Sequence, residues 1–295
     1  MRLVTFDHEG KTRIGAVGGD RITVLSSLLP AGEPWNLIPL LEQGADGLAR
    51  ASELVAAGRQ TLALDEVELR APVIRPGKYL ALGLNYKKHA EEAHRKGIKT
   101  PKRQVWFNKQ TTCINGPYAP VHKPIVSDKL DYEAELGFVI GTRCRHVKAE
   151  EAASVIGGYL VCNDLSVRDW QLHSPTWTMG KSFDTHGPTG PWLVTRDEIE
   201  DPHALHIRSL VNGEIRQDAS TNEMIYSCYD MIEYLTTAFT LEPGDLIATG
   251  TPAGIGAAMD PPQFLQAGDV VRCEVEGIGH IENEVVLEEQ PEKGL

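Results

Sequence analysis

From residue 71 onward, the apolar residues come in short runs bounded by glycine and proline. The stretches 135–140 (ELGFVI), 158–162 (GYLVC), 191–195 (PWLVT) and 245–249 (DLIAT) have the length of strands rather than of helices. Asn212-Gly213 lies between 206–211 and 214–217. Both residues tolerate the positive φ of a type I′ turn, so this spacing predicts a hairpin. Val271, Cys273 and Val275 alternate with charged residues, as a half-buried strand requires. One helical period stands out, carried by Ile225, Tyr229, Ile232, Leu235 and Phe239 and closed by Pro243-Gly244. The expected fold is mainly β with some α, without a regular βαβ alternation.

Residues 1–70 read differently. Strand-like stretches at 3–6, 13–17 and 21–25 precede a helical stretch near 48–57, where Leu48, Leu54 and Val55 recur. Ala71-Pro72 and Arg75-Pro76-Gly77 then punctuate the chain. The expectation is a small α+β N-terminal domain over 1–70 and a catalytic domain over 71–295. A chain of 295 residues suits one large domain beside a small one.

Charge and cysteine usage narrow the function classes. There are 29 Lys+Arg against 41 Asp+Glu, a net charge of −12, with no basic block. That disfavours nonspecific nucleic-acid binding and polybasic attachment to a membrane. The uncharged stretch 246–259 has only 14 residues and is broken by glycine and proline, whereas a membrane span needs about 20 apolar residues. The N-terminal MRLVTFDHEGK places acids where a signal peptide needs its apolar core. The five cysteines form no C-x-x-C pair, which points to a reducing compartment and a cytoplasmic location.

The most informative stretch for chemistry is 129–141, KLDYEAELGFVIG. If it is extended, Asp131, Glu133 and Glu135 share one face. Carboxylates so spaced repel one another, unless they lie in water or hold a hard divalent cation. A second stretch, 157–171, carries an apolar run into Asn163-Asp164 and then Ser166, Arg168, Asp169 and Gln171. Asp164 can supply a third carboxylate, with Arg168 and Gln171 as donors to an anion. Equally, Asn163 or Asp164 can cap a helix and Arg168 can pair with Asp169.

Three more segments bear on the site. Lys181 lies in a Gly- and Pro-rich loop, where it is either simply exposed or a stabiliser of a developing oxyanion. The glycines of 243–256 do not match G-x-G-x-x-G, which makes a dinucleotide-binding oxidoreductase a poor reading. Its amides and Thr251 can still line an anion pocket. His89 and Glu92 are three apart, so a helix would place them on one face. A carboxylate beside an imidazole fixes its tautomer and raises its basicity. Lys87, Lys88, Glu91, His94, Arg95 and Lys96 crowd the same stretch, which also suits an ordinary charged helix or a segment that orders over a substrate.

Together the pieces GLNYKKHAEE, LDYEAELGFVIG, GGYLVCNDLSVRDWQ, GKSFDTHGPTGP and LEPGDLIATGTPAGIG, in this order over 82–256, resemble the fumarylacetoacetate hydrolase superfamily. The downstream FLQAGDVVRCEVEGIGHIENEV is similar to the family's C-terminal end, and residues 1–70 resemble more loosely the leading domain of shorter bacterial members. The resemblance implies a mixed β-sandwich roll and a homodimer. It implies Glu133, Glu135 and Asp164 as ligands of Mg²⁺ or Mn²⁺, and His89 with Glu92 as a catalytic dyad. Lys181 and Gln171 are implied near the oxyanion, with Lys109, Arg168 and Thr251 as substrate-pocket residues. His186 and Gly187 stand where subfamilies vary, which bears on substrate choice. The extra upstream aspartate ligand of the larger animal-type enzyme has no counterpart that we can place.

The expected activity is hydrolysis of a carbon–carbon bond in an acylpyruvate-type 1,3-diketo acid. His89 would activate the water, and pyruvate and a carboxylic acid would leave. Decarboxylation or isomerisation of a 2-oxo diacid needs the same site without an attacking water. A noncatalytic metabolite-binding protein is a third reading. The expected partner is a small anionic 2-oxo or diketo acid.

Overall fold

A computed structural model describes residues 1–30, 36–95, 97 and 102–289. In chain order the first strands are β1 (Arg2–His8), β2 (Lys11–Gly18), β3 (Arg21–Val24), β4 (Thr61–Ala63) and β5 (Glu68–Arg70). Helices α1 (Ile38–Leu41) and α2 (Gly44–Ala57) lie between β3 and β4. Next come β6 (Tyr79–Gly83), α3 (Lys87–Arg95), β7 (Val105–Lys109), β8 (Ile114–Asn115), β9 (Val121–Lys123) and β10 (Leu130–Asp131). β11 (Ala134–Ile140), β12 (Ile156–Asn163), β13 (Ser166–Val167), α4 (Arg168–Gln171) and β14 (Gly187–Thr195) follow. The chain closes with β15 (His206–Val211), β16 (Glu214–Ser220), α5 (Cys228–Ala238), β17 (Leu246–Ala248), β18 (Val270–Val275) and β19 (Gly279–Leu287).

Among the described residues these strands form a long mixed sheet in the order β4-β3-β2-β1-β14-β12-β11-β17-β6-β7. A five-stranded sheet runs β16-β15-β18-β19-β9. The centre of the long sheet is buried on both faces, which explains its continuous apolar runs. Leu136, Phe138 and Ile140 of β11 join Ile207, Val271 and Cys273 of the smaller sheet in one core. Val139, one residue out of phase, joins Leu160, Leu193 and Leu40 in a second core under α1 and α2. The fold is therefore mainly β, with α1 and α2 over the second core and α5 packing Met231, Ile232 and Leu235 into the first, and all five cysteines are buried free thiols. No helix among the described residues is long and apolar enough to cross a membrane.

The Asn212-Gly213 turn joins β15 to β16 with φ of 53° and 81°, as the hairpin expectation required. The helical period near residue 230 needs a correction. Ser227 caps α5 through Asp230 N at 3.1 Å, with Asp230 returning a bond to Ser227 N, so the helix starts at Cys228. Ile225 precedes it and Phe239 follows its last turn, and both are exposed. The buried face is Cys228, Met231, Ile232 and Leu235. At the other end of the chain, β1 pairs with β14 (Arg2↔Val194, Leu3↔Leu193), so the N-terminal strands extend the main sheet.

Candidate active site

The carboxylate stretch is not one continuous strand. β10 ends at Asp131 and β11 begins at Ala134, so the shared face expected for Asp131, Glu133 and Glu135 does not form. The Asp131 carboxylate turns to other partners. It accepts from Gly256 N at 2.8 Å, Ala257 N at 3.0 Å and Arg168 Nε at 2.7 Å. Glu133 sits in the break, its N–H donating to Asn163 Oδ1 at 3.0 Å while its carbonyl accepts from Asp164 N at 2.9 Å. That reciprocal pair clamps residue 133 to 163–164, and β11–β12 pairing brings Glu135 opposite Cys162. Oxygens of Glu133, Glu135 and Asp164 thus lie within 4.8 Å of one another, all buried. The capping alternative fails, because α4 starts at Arg168 after Val167 with no side-chain cap. Arg168 pairs with Asp131 and Glu133, while Asp169 accepts from Ser127 Oγ.

Buried cations surround the three acids. Lys181 Nζ lies 2.7 Å from both Glu133 Oε2 and Asp164 Oδ2. Arg168 Nη2 lies 2.8 Å from Glu133 Oε1, and Arg168 Nη1 donates to Gln171 Oε1 at 3.1 Å. Burial alone would raise the Glu133 carboxyl, but Lys181, Arg168 and His89 outweigh it and hold it well below the carboxylate range. Glu135 goes the other way. Burial, then Asp164 and Glu133, push it well above that range, and the charge of Lys181 and Gly250 N at 2.8 Å only partly offset them. Three hard oxygen donors, one of them without an ammonium or guanidinium partner among the described residues, fit a divalent cation such as Mg²⁺ or Mn²⁺.

Lys109 departs from its expected place in the substrate pocket. Its ammonium is fully buried, donates to Asp164 Oδ1 at 2.6 Å and to the Lys181 carbonyl, and does not line the cavity. Burial works against its charge, but Asp164 more than compensates and raises its pKa. Lys109 therefore positions Asp164 from behind. His186 and Gly187 also lie away from the cavity: His186 is fully buried, with Nε2 2.8 Å from the His122 carbonyl. Thr251 does line the cavity, but its hydroxyl donates to the Ala134 carbonyl at 2.9 Å and accepts from Gln217 Nε2 at 2.7 Å.

His89 and Glu92 lie on α3, as their spacing suggested, with His89 Nδ1 3.3 Å from Glu92 Oε2. Gly254 N donates to both oxygens of Glu92, at 3.2 and 3.4 Å, so the glycine-rich 243–256 segment orients the dyad. The expectation that this stretch orders over a substrate extends to Lys96, which lies outside the described residues. His89, Glu92, the three acids, Arg168, Gln171, Lys181 and Thr251 all line one cavity of about 380 Å³. Its other wall is apolar and includes Leu84, Phe107, Trp177 and Ile255.

Sequence reasoning missed several supporting residues. Gln217 and Asn85 act through several hydrogen bonds to residues far along the chain, which leave no local pattern, and Asn163, expected as a helix cap, instead accepts from Glu133 N. Trp177 belonged to a segment without a chemical motif. Asp131 was seen, but apart from the adjacent Tyr132 N its partners lie 37 to 126 positions away.

Comparison with known proteins places this geometry among relatives. The family model described as fumarylacetoacetate (FAA) hydrolase C-terminal matches residues 78–286, and one described as Rv2993c-like, N-terminal matches residues 1–72. The Homo sapiens mitochondrial oxaloacetate tautomerase FAHD2A is 42% identical over 291 residues, 97% of this chain and 92% of that protein. The solved fumarylacetoacetate hydrolase of Exiguobacterium antarcticum superposes with a TM-score of 0.83 at 34% identity, covering 98% of this chain and all of that one. The maleylpyruvate hydrolase of Sphingobium sp. SYK-6, solved with manganese(II) and pyruvate, gives 0.82 at 31% identity with the same coverage.

Proposed function

Because the chain belongs to the fumarylacetoacetate hydrolase family, we propose that it is a metal-dependent tautomerase of a small 2-oxo acid of the oxaloacetate type. One observation carries the chemistry. Three buried carboxylates and the His89–Glu92 dyad face the same cavity, so a cation-binding centre and a positioned base meet on one substrate. The choice of tautomerisation rests on the similarity to oxaloacetate tautomerases along 97% of the chain.

Glu133, Glu135 and Asp164 would hold Mg²⁺ or Mn²⁺, a Lewis acid that orients a 2-oxo acid and offsets the charge of its enolate. His89 takes the proton from the carbon beside the 2-oxo group and returns it to the enolate oxygen, and in the reverse direction moves it from the enol hydroxyl to that carbon. Glu92 accepts from Nδ1–H and leaves Nε2 as the basic nitrogen. Gln171 keeps its amide N–H group for the substrate, because its oxygen already accepts from Arg168. Lys181 holds Glu133 and Asp164 in register and faces the developing oxyanion. The homodimer implied by the family and a cytoplasmic location complete this reading.

The second reading is carbon–carbon hydrolysis of an acylpyruvate-type acid. The dyad favours it, since an imidazole tied to a carboxylate is also suited to activate water, and a hydrolase is among the structural neighbours. The test follows the ultraviolet absorbance of enol oxaloacetate with added Mg²⁺ or Mn²⁺. The tautomerase accelerates its decay, and His89→Ala loses about 10²–10⁴-fold while still binding Mn²⁺. Decay at the uncatalysed rate, with pyruvate released from an acylpyruvate, would establish the hydrolase instead.

A further inference from the structure

We propose that Trp177 is a specificity-determining residue that, with Leu84, takes the hydrocarbon substituent of a 2-oxo acid larger than oxaloacetate. The inference rests on the 2-oxo acid reading above and extends it to a further substrate class. Leu84 and Trp177 both have left-handed backbones, with φ of 57° and 60°, and both line the catalytic cavity. Bulky side chains seldom adopt that conformation, and such strain persists only where the surroundings impose it.

Here the surroundings do so. Trp177 N donates to the Ser174 carbonyl at 3.2 Å, and the Trp177 carbonyl accepts from Lys181 N at 3.2 Å. The turn that presents Lys181 to the carboxylates therefore also aims the indole. A Cβ on Gly83 would come within 2.5 Å of Trp177 Cζ3, so the ring lies in a cradle that only glycine leaves open.

Contacts along the wall connect the indole to the carboxylate end of the cavity. Lys181 Nζ, at the carboxylates, sits 4.9 Å from the centre of the Phe107 ring. Phe107 in turn packs on Trp177, with ring centres 5.6 Å apart. Phe107 thus links the ammonium at the carboxylates to the Trp177 indole. A carboxylate carried to that point would be desolvated against Leu84, Phe107 and indole. An alkyl or aryl group would bury apolar surface there.

The test measures binding of pyruvate, 2-oxobutanoate, 2-oxohexanoate and 2-oxooctanoate to the full-length protein with Mg²⁺ by titration calorimetry. The wild-type protein should tighten by roughly fourfold per added methylene. Trp177→Gly removes the indole and suits the positive φ, and Gly83→Ala displaces the ring without deleting it. Both variants should weaken 2-oxooctanoate about tenfold or more beyond any change for pyruvate. Equal losses at every chain length, or no gain with length in the wild type, overturn the proposal while leaving the 2-oxo acid reading intact. If no member of the series binds, both fall.

Discussion

Asp164 meets a lysine on each oxygen, and Glu133 meets Lys181 on one oxygen and Arg168 on the other, whereas among the described residues Glu135 meets only the backbone N–H of Gly250. Charge inside the cavity is therefore nearly paired, although the chain as a whole carries −12. Such pairing suits the anionic 2-oxo acid of the proposed reading, despite the acidity of the chain. A different buried group should contribute to the response to acid. His186, expected beside the substrate, is instead packed just before β14, where Nε2 meets the His122 carbonyl and Nδ1 has no hydrogen-bond partner among the described residues. Burial pushes its pKa down to about 3, and the nearby Lys109 adds to the effect. An unfolded histidine takes its proton near 6.5. The folded state refuses that proton until pH is much lower, so stability is full above about 6.5 and is lost as pH falls toward 3. This one side chain should cost about 2 kcal/mol between about pH 7 and pH 5. Replacing it by Gln keeps an uncharged N–H donor, and urea unfolding at both pH values should show that loss disappear. An unchanged loss in His186→Gln would assign the acid sensitivity to other groups.

At the level of elements, the site depends on how α3 is held. Asn85, just before the helix, is fully buried. Its amide donates to the carbonyls of Thr249 at 2.7 Å and Tyr226 at 3.1 Å, and its oxygen accepts from Tyr226 N at 2.9 Å. The helix that carries the dyad is thus tied to β17 and to the loop before α5. Asn85→Ala leaves buried backbone groups unpaired, which should cost about 1–3 kcal/mol. Amides of α3 should then exchange with deuterium faster relative to those of β11. A stability loss shared evenly by α3 and β11 would mean that Asn85 does not anchor the helix. The same elements show what could be read in the sequence. The dyad was legible because its partners are three residues apart and one helix face suffices to join them. Glu133 and Glu135 were legible by spacing, but for a mistaken reason. The strand breaks after Asp131 because amides of 256–257 capture that carboxylate, and a partner so distant leaves no mark on local periodicity. Lys109 was expected at the substrate for want of any local sign that Asp164 would draw it behind the site.

On the scale of the molecule, short strands between glycines and prolines foretold a β-rich fold, while the way its layers share cores became visible only in three dimensions. Residues 1–72 and 78–286 match separate family models. In the folded chain, however, Leu3, Ile14, Leu25 and Leu40 lie in one buried cluster with Val139, Leu160, Leu193 and Leu246. β1 continues the sheet of β14, and the terminal amine of Met1 donates to Thr195 Oγ1 at 2.5 Å. Releasing the N-terminal strands would bare Val139, Leu160 and Leu193, each fully buried, at about 1.5–3 kcal/mol apiece. Losses of that size couple the two segments more tightly than a flexible linker would. The chain should therefore unfold in one cooperative transition, with calorimetric and van't Hoff enthalpies agreeing within about a tenth. Two resolved transitions, the smaller one vanishing when residues 1–72 are removed, would show instead that the leading segment is an independent unit and that the shared core contributes little to its stability.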